Sequence, residues 1–197
     1  PGAFRVREMD YSGYVEARVG GDGWRGNFGV RLVDTKENAY VNVSDPTATP
    51  AHPNNPGDIF TSAYGPYYVN HVYHNYFDVL PSINLTFDLK PNLFLRMSAA
   101  ETMSRPDFSA LGGTVSLTDT INTGNGGNPN LRPIKAAVYD AALEWYYGPA
   151  SIATVSVFYD DLSSYVTFGT SNAVYFNQVE KKNDTYAISS PVNTSGT

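Results

Sequence analysis

An antiparallel, all-β, membrane-spanning sheet is the fold class this chain predicts, and three observations predict it. Long segments alternate between apolar and polar residues; tight turns take turns with long connections; and aromatic residues gather at the segment ends. The tight turns are Gly20-Gly21-Asp22-Gly23, Lys90-Pro91-Asn92 and Gly148-Pro149-Ala150, and the long polar excursions cover residues 36 to 75, 103 to 135 and 164 to 185. Transmembrane barrels show this asymmetry, with short turns at the periplasmic rim and long loops outside.

The first segment carries Tyr11, Gly13, Val15, Ala17 and Val19 on one face, opposite Ser12, Tyr14, Glu16 and Arg18. In the second, Trp24, Gly26, Phe28, Val30 and Leu32 oppose Arg25, Asn27, Gly29 and Arg31. The third sets Phe77, Val79, Pro81, Ile83, Leu85, Phe87 and Leu89 against Asp78, Ser82, Asn84, Thr86 and Asp88. In the fourth, Leu93, Leu95, Met97 and Ala99 face away from Arg96 and Ser98, and in the fifth Ala137, Tyr139, Ala141, Leu143, Trp145 and Tyr147 oppose Asp140, Ala142 and Glu144. The sixth is less clean: Ala153, Val155, Val157 and Tyr159 are backed by Thr154 and Ser156 but also by Ile152 and Phe158.

A period of two with one apolar face also describes a soluble sandwich. Length separates the two. These segments run about nine to twelve residues, whereas strands of globular proteins average about five or six. At about 3.3 Å per residue and a tilt near 40°, roughly eleven residues cross an apolar band of about 25 Å. Trp24, Trp145, Tyr146, Tyr147, Tyr76 and Phe77 stand at segment ends, where rings with a polar handle favour the headgroup layer.

Composition agrees and excludes other classes. The hydrophobic share is 42%, and no apolar run approaches the roughly 18 residues of a membrane helix. Fifteen tyrosines, 17 glycines and 13 prolines suit strands and turns. With no cysteine, disulfides and thiolate metal sites are excluded. A net charge of −6 without a basic tract argues against a nucleic-acid partner. No nucleophile elbow, phosphate-cradling loop or His-Glu-x-x-His helix occurs, and adjacent Asp160 and Asp161 project to opposite sides of a strand, so no enzymatic activity and no cofactor is expected. His71 and His74, three residues apart on a strand, point to opposite faces and make a poor metal pair. The four Asn-x-Ser/Thr sequons, one of them at mid-strand Asn84, read as chance.

Residues 189 to 197 read as a loop leading into another strand, and six segments with the start of a seventh fall short of the eight strands of a closed barrel. An open sheet in lipid leaves edge amides unpaired. Residues 1–197 are therefore expected to be an interior part of a longer polypeptide, with any signal peptide outside them.

Several blocks resemble one family. They are Tyr76-Phe77-Asp78-Val79-Leu80-Pro81-Ser82-Ile83-Asn84-Leu85; Leu95-Arg96 through Thr102-Met103-Ser104-Arg105-Pro106-Asp107-Phe108; Gly127-Asn128-Pro129-Asn130-Leu131-Arg132-Pro133; Tyr139-Asp140 with Glu144-Trp145-Tyr146; and Phe158-Tyr159-Asp160-Asp161-Leu162. Gly29-Val30-Arg31-Leu32, Tyr186-Ala187-Ile188 and Pro191-Val192-Asn193 fit the same template. In this order and spacing they resemble the barrel of TonB-dependent outer-membrane receptors, most closely the proteobacterial carbohydrate-uptake type, with much in common with siderophore receptors. Asp160-Asp161 departs from the commoner Lys-Asp pair.

The resemblance implies six to seven strands of a plugged barrel of about 22. It also implies an outer-membrane location in a Gram-negative bacterium, a nutrient ligand that is a sugar or a ferric siderophore, and import powered through the TonB complex by way of a plug outside these residues. A surface lipoprotein is a further partner it allows. Glu16, Arg18, Arg25, Arg31, Arg96, Asp140 and Glu144 are then expected to line the lumen, and the outward residues to meet outer-membrane lipid. Glu144 is expected in a lumenal salt bridge or plug contact. Arg105-Pro106-Asp107-Phe108 should organise a loop start, and Gly127 to Pro133 should re-enter the strand extended. Tyr64, Tyr67, Tyr68, His71 and Tyr73, with His74, are the candidate ligand contacts, because flat amphipathic rings stack on sugars or aromatic chelators. The alternative is a secreted or surface β-rich glycan-binding module without transport.

Overall fold

The computed structural model describes residues 4–44, 67–112 and 115–195. Its main sheet has six strands in the order β1-β2-β3-β4-β7-β8: β1 (Phe4–Gly21), β2 (Trp24–Ser44), β3 (Tyr67–Lys90), β4 (Leu93–Ser104), β7 (Ile134–Gly148) and β8 (Ser151–Leu162). Every pairing in it is antiparallel. A second sheet, in the order β5-β6-β10-β9, is built from β5 (Val115–Thr118), β6 (Thr123–Gly126), β9 (Ser164–Asn177) and β10 (Lys182–Ser195). The one helix among the described residues is α1 (Phe108–Leu111).

The three short turns fall where predicted. Gly23, at φ +76, supplies the left-handed position that ends the first of them, and Asp88 N–H donates to its carbonyl at 2.7 Å. Irregular register near the other two turns, between Asp88 and Lys90 and between Trp145 and Gly148, adds the local twist that bulges bring.

Register fixes the faces. Val15 lies opposite Val30, Leu32 opposite Val79, Leu85 opposite Met97, Leu95 opposite Leu143, and Leu143 opposite Val155, so the apolar faces of all six strands form one side of the sheet. None of the described residues covers that side: Val15, Val155 and Val157 are 67%, 71% and 65% exposed. A soluble sandwich would bury such a face against a second layer.

The limits of the excursions differ from the sequence reading. Residues 35 to 44 continue β2, β3 begins at Tyr67, and residues 164 to 177, expected as a loop, are β9. The signal that disappears beyond Leu32 is the apolar outer face, which turns to Asp34, Lys36 and Asn38. The other face stays packed, with Val33, Thr35, Glu37, Ala39 and Val41 all buried. The strands therefore outlast the apolar belt. Residues 189 to 195, expected as a loop leading into another strand, are instead part of β10, which pairs with β9 and β6 in the second sheet.

That second sheet has its own small core in Tyr186, Ile188 and Leu131. Tyr186 stacks edge-on against Tyr175 and donates its hydroxyl to Asp119 at 2.9 Å. Gly124 permits the close approach of β6 to β10, since a Cβ there would lie 2.7 Å from both Ile188 Cδ1 and Ser116 O.

Candidate functional site

Opposite the apolar belt lies a charged face. Glu16 and Arg18 on β1, Arg25 and Arg31 on β2, Arg96 on β4, and Asp140 and Glu144 on β7 all project to it, as the register requires. Arg25 donates to both carboxylate oxygens of Asp88, at 2.9 and 3.1 Å, and Arg96 Nε lies 3.0 Å from Glu144. Glu144 also accepts the Tyr146 hydroxyl at 3.2 Å, and Ser98 donates to Asp140. Neighbouring strands thus neutralise one another's charges across a wet surface, where each exposed pair contributes about 0–1 kcal/mol.

Above the belt this face becomes a buried polar cluster. Glu8 on β1 stands opposite Glu37 on β2, and Glu37 opposite His74 on β3. Arg105, just past β4, reaches across to Asp10 at 2.8 Å, Thr35 at 3.4 Å and Glu8 at 3.4 Å. Thr35 donates to Asp10 at 2.7 Å. Glu37 is 1% exposed, and neither its Oε1 nor His74 Nε2 has a hydrogen-bond partner among the described residues. Burial, with the charge of Glu8 adding to it, pushes the Glu37 carboxyl up to about 7. Glu8 is raised as well, by burial first, with Arg105 opposing and Asp10 adding.

Sequence reading missed this cluster. Arg105 and Asp10 are 95 positions apart and no local pattern joins them. The traceable signal was an Arg-Pro at the end of a strand, read as a loop organiser. Asp107 does take the N-cap position of α1, yet its carbonyl, not its side chain, receives the Ala110 and Leu111 amides. Phe4 lies against Gly112 just beyond the helix.

β3 runs on without β4 beyond the Ser82–Ala100 pair. A cavity of about 400 Å³ opens beside this stretch, lined by His74, Tyr76, Asp78, Lys135, Arg132 and Asn193 among others. Asp78, 2% exposed, is ion-paired with Lys135. Two asparagines tie the far wall together. Asn193 accepts from Arg132 N–H at 2.8 Å and returns a bond to its carbonyl at 3.0 Å, while Asn128 donates to the Pro191 carbonyl at 2.9 Å. The segment from Gly127 to Pro133, expected to be extended, instead makes a turn at Pro129-Asn130, where Asn128 accepts the Asn130 N–H at 2.9 Å, before β7 begins at Ile134.

The expected aromatic ligand cluster is divided by the pleat. His71 and Tyr73 share the side of the apolar belt, Tyr68 and His74 the charged side. His71 stacks on Tyr40 at 4.4 Å and bonds Asn38 at 2.9 Å. Tyr64 lies outside the described residues, and so does the side chain of Tyr67.

Comparison with known proteins accords with this geometry. No curated protein matches the sequence. The siderophore receptor PirA of Acinetobacter baumannii superposes with a TM-score of 0.54 at 13% identity, over 98% of this chain and 33% of the receptor. A mutant of the ferric enterobactin receptor PfeA of Pseudomonas aeruginosa gives 0.56 at 15% identity, over 97% and 31%. Another PfeA mutant, solved with enterobactin, gives 0.55 at 14%, over 98% and 32%. At such identities the likeness is one of fold, and the chain spans about a third of these receptors' length. The family model described as TonB dependent receptor-like, beta-barrel matches residues 2–195. The chain therefore belongs to the TonB-dependent receptor β-barrel family, a family of receptors and not of enzymes.

Proposed function

We propose that this chain is an interior arc of an outer-membrane receptor that captures a scarce nutrient at its external end and imports it to the periplasm with energy delivered through TonB. The observation that carries the reading is the two-sided sheet: an uncovered apolar belt on one side, paired charges on the other, tight turns at one end and a structured cap at the other. A belt of this kind belongs against acyl chains, and the charged side against water or a plug. The free outer edges of β1 and β8 support a longer parent chain, because lipid cannot satisfy their amides.

In this reading Glu16, Arg18, Arg25, Arg31, Arg96, Asp140 and Glu144 line the lumen. Ligand contact belongs to Tyr68 and the segment bearing Tyr64 and Tyr67, together with the polar cavity beside β3. His71 and Tyr73 belong to the lipid side. The substrate class is a carbohydrate or a ferric siderophore. TonB acts through a plug outside these residues, and a surface lipoprotein is a further candidate partner.

Growth of a deletion strain on sugars and iron chelates tests the proposal. A defect on one class, abolished likewise by loss of TonB, is the expected result. Recovery of the intact protein as a soluble species, or unimpaired growth on every nutrient, would refute it.

A further inference from the structure

The charged side of the main sheet is not uniform. From β1 to β4 its polar groups satisfy one another or are met by β7: Glu16 bonds Arg18 at 2.8 Å, Arg25 takes Asp88, Arg96 takes Glu144, Asn84 donates to Asn27 at 2.8 Å and Arg31 to Ser12 at 3.2 Å. A wall that supplies its own counter-charges can stand against water. β8, the edge strand, breaks the pattern. Phe158 and Leu162 point to the charged side, and they are 77% and 44% exposed. Register sets Asp140 opposite Phe158, Val138 opposite Asp160 and Ala136 opposite Leu162. Apolar and acidic side chains thus alternate in both directions over a strip about 13 Å long by strand rise.

Asp140 and Asp160 stand on a diagonal of this strip, roughly 7–8 Å apart. Asp140 accepts the Ser98 hydroxyl at 3.2 Å, and neither carboxylate makes an ion pair among the described residues. The chemistry of the strip defines what completes it: an apolar group against Phe158 and Leu162, and a cation between the two carboxylates. Its place narrows the choice further, since the side opposite the belt is shut off from lipid and from neighbours in the membrane plane. The chain spans about a third of the receptors it superposes on, so a parent polypeptide of that size has ample further chain to reach the strip.

We propose that the inner wall is divided by sector. Phe158, Leu162, Asp140 and Asp160 on β7–β8 anchor a basic, apolar segment of the bore-filling part of the same polypeptide, while the self-paired wall of β1–β4 stays wet and bounds the route of the nutrient. The division rests on the outer-membrane reading above and adds to it which sector is occupied and which is open. Phe158, the residue that makes the sixth segment of the sequence less clean, is then an anchor and not a lapse in the alternation.

The test uses the full-length receptor in intact outer membranes, with a photoreactive phenylalanine analogue placed at Phe158 or, on the β1–β4 wall, at Asn84. Irradiation at position 158 is expected to give an intramolecular crosslink to a peptide outside residues 1–197 in which Arg or Lys neighbours an apolar residue, and position 84 at least about ten-fold less of it. Each charged bond lost weakens the anchor about ten-fold, so D140R/D160R should lower the yield from position 158 about 100-fold. Heat-modifiable migration on gels verifies that the variant barrel has folded; if it has not, D160N alone is expected to lower the yield about ten-fold. Residues 1–197 hold no cysteine, so single cysteines report the open sector: a small water-soluble maleimide should label N84C at least about ten-fold faster than L162C. Absence of the crosslink at 158, equal yields from 158 and 84, or a crosslink from 158 to lipid or to a second copy would overturn the division. So would a yield that the charge variants leave unchanged, or equal labelling of the two cysteines. Membrane fractionation of the same strains is read separately: an outer-membrane receptor that gives any of these results sinks only this inference, whereas a soluble receptor sinks the functional reading.

Discussion

At the residue scale the buried polar cluster holds the sharpest chemistry. Glu37 has its folded value raised from an ordinary 4.5 to about 7, so folding favours its neutral form. That contribution is whole below about 4.5 and is lost as pH rises through about 7. The groups facing it are Glu8 and Asp10 from β1, His74 and Tyr76 from β3, and Arg105 from beyond β4. Amide exchange of the β1–β2 apex in the full-length receptor, corrected for intrinsic rate, should therefore show at least about ten-fold more opening at pH 8 than at pH 5, and Glu37→Gln should flatten the difference. A profile unchanged by that substitution would place the pH sensitivity elsewhere. Arg105→Ala removes the one cation that Glu8 and Asp10 share among the described residues. The lost charged bonds should cost about 1–3 kcal/mol locally, seen as faster proteolysis of the connection between β4 and β7 with the barrel intact.

At the scale of elements, the alternation of the six main strands was plain in the sequence because each side of a membrane strand meets a different solvent. The even–odd pattern is then enforced at every position. Legibility failed where that contrast ends. Above Leu32 the outer side turns polar, while the inner side stays buried and is reached by Arg105 from beyond β4, which no neighbouring sequence announces. β9 was unread for the same reason, since Thr167, Thr170 and Ser171 interrupt any apolar side. The two-solvent contrast can be probed directly at β8. Val157→Arg puts a charge on the belt and should cost about 2–4 kcal/mol, read as reduced outer-membrane assembly. Ser156→Arg, one residue away on the charged side, should assemble like wild type. Equal damage from both would mean that the belt does not face lipid.

At the scale of the whole molecule, the main sheet has two free edges and an apolar side that none of the described residues covers. Neither condition is tolerable in water, where exposed apolar area and unpaired strand edges drive association. Expressed alone, residues 1–197 should aggregate without detergent. A soluble, cooperatively unfolding monomer, followed by sedimentation and thermal melting, would contradict the barrel assignment. The candidate ligand residues were only partly legible at this scale. The sequence grouped Tyr68, His71, Tyr73 and His74 by proximity, but a strand sorts neighbours to opposite sides, and only the register shows which side the rest of the sheet keeps polar.

The parallel pairing of β6 with β10 has one more consequence. Ala187 N–H donates to the Asn122 carbonyl, Asn128 holds Pro191, and Asn193 clasps Arg132 at both backbone atoms. The connection that follows β4 and the hairpin that follows β8 are stitched into a single plate. Displacing one of them must carry the other along, so any movement at this end of the sheet is shared by two segments encoded about sixty residues apart.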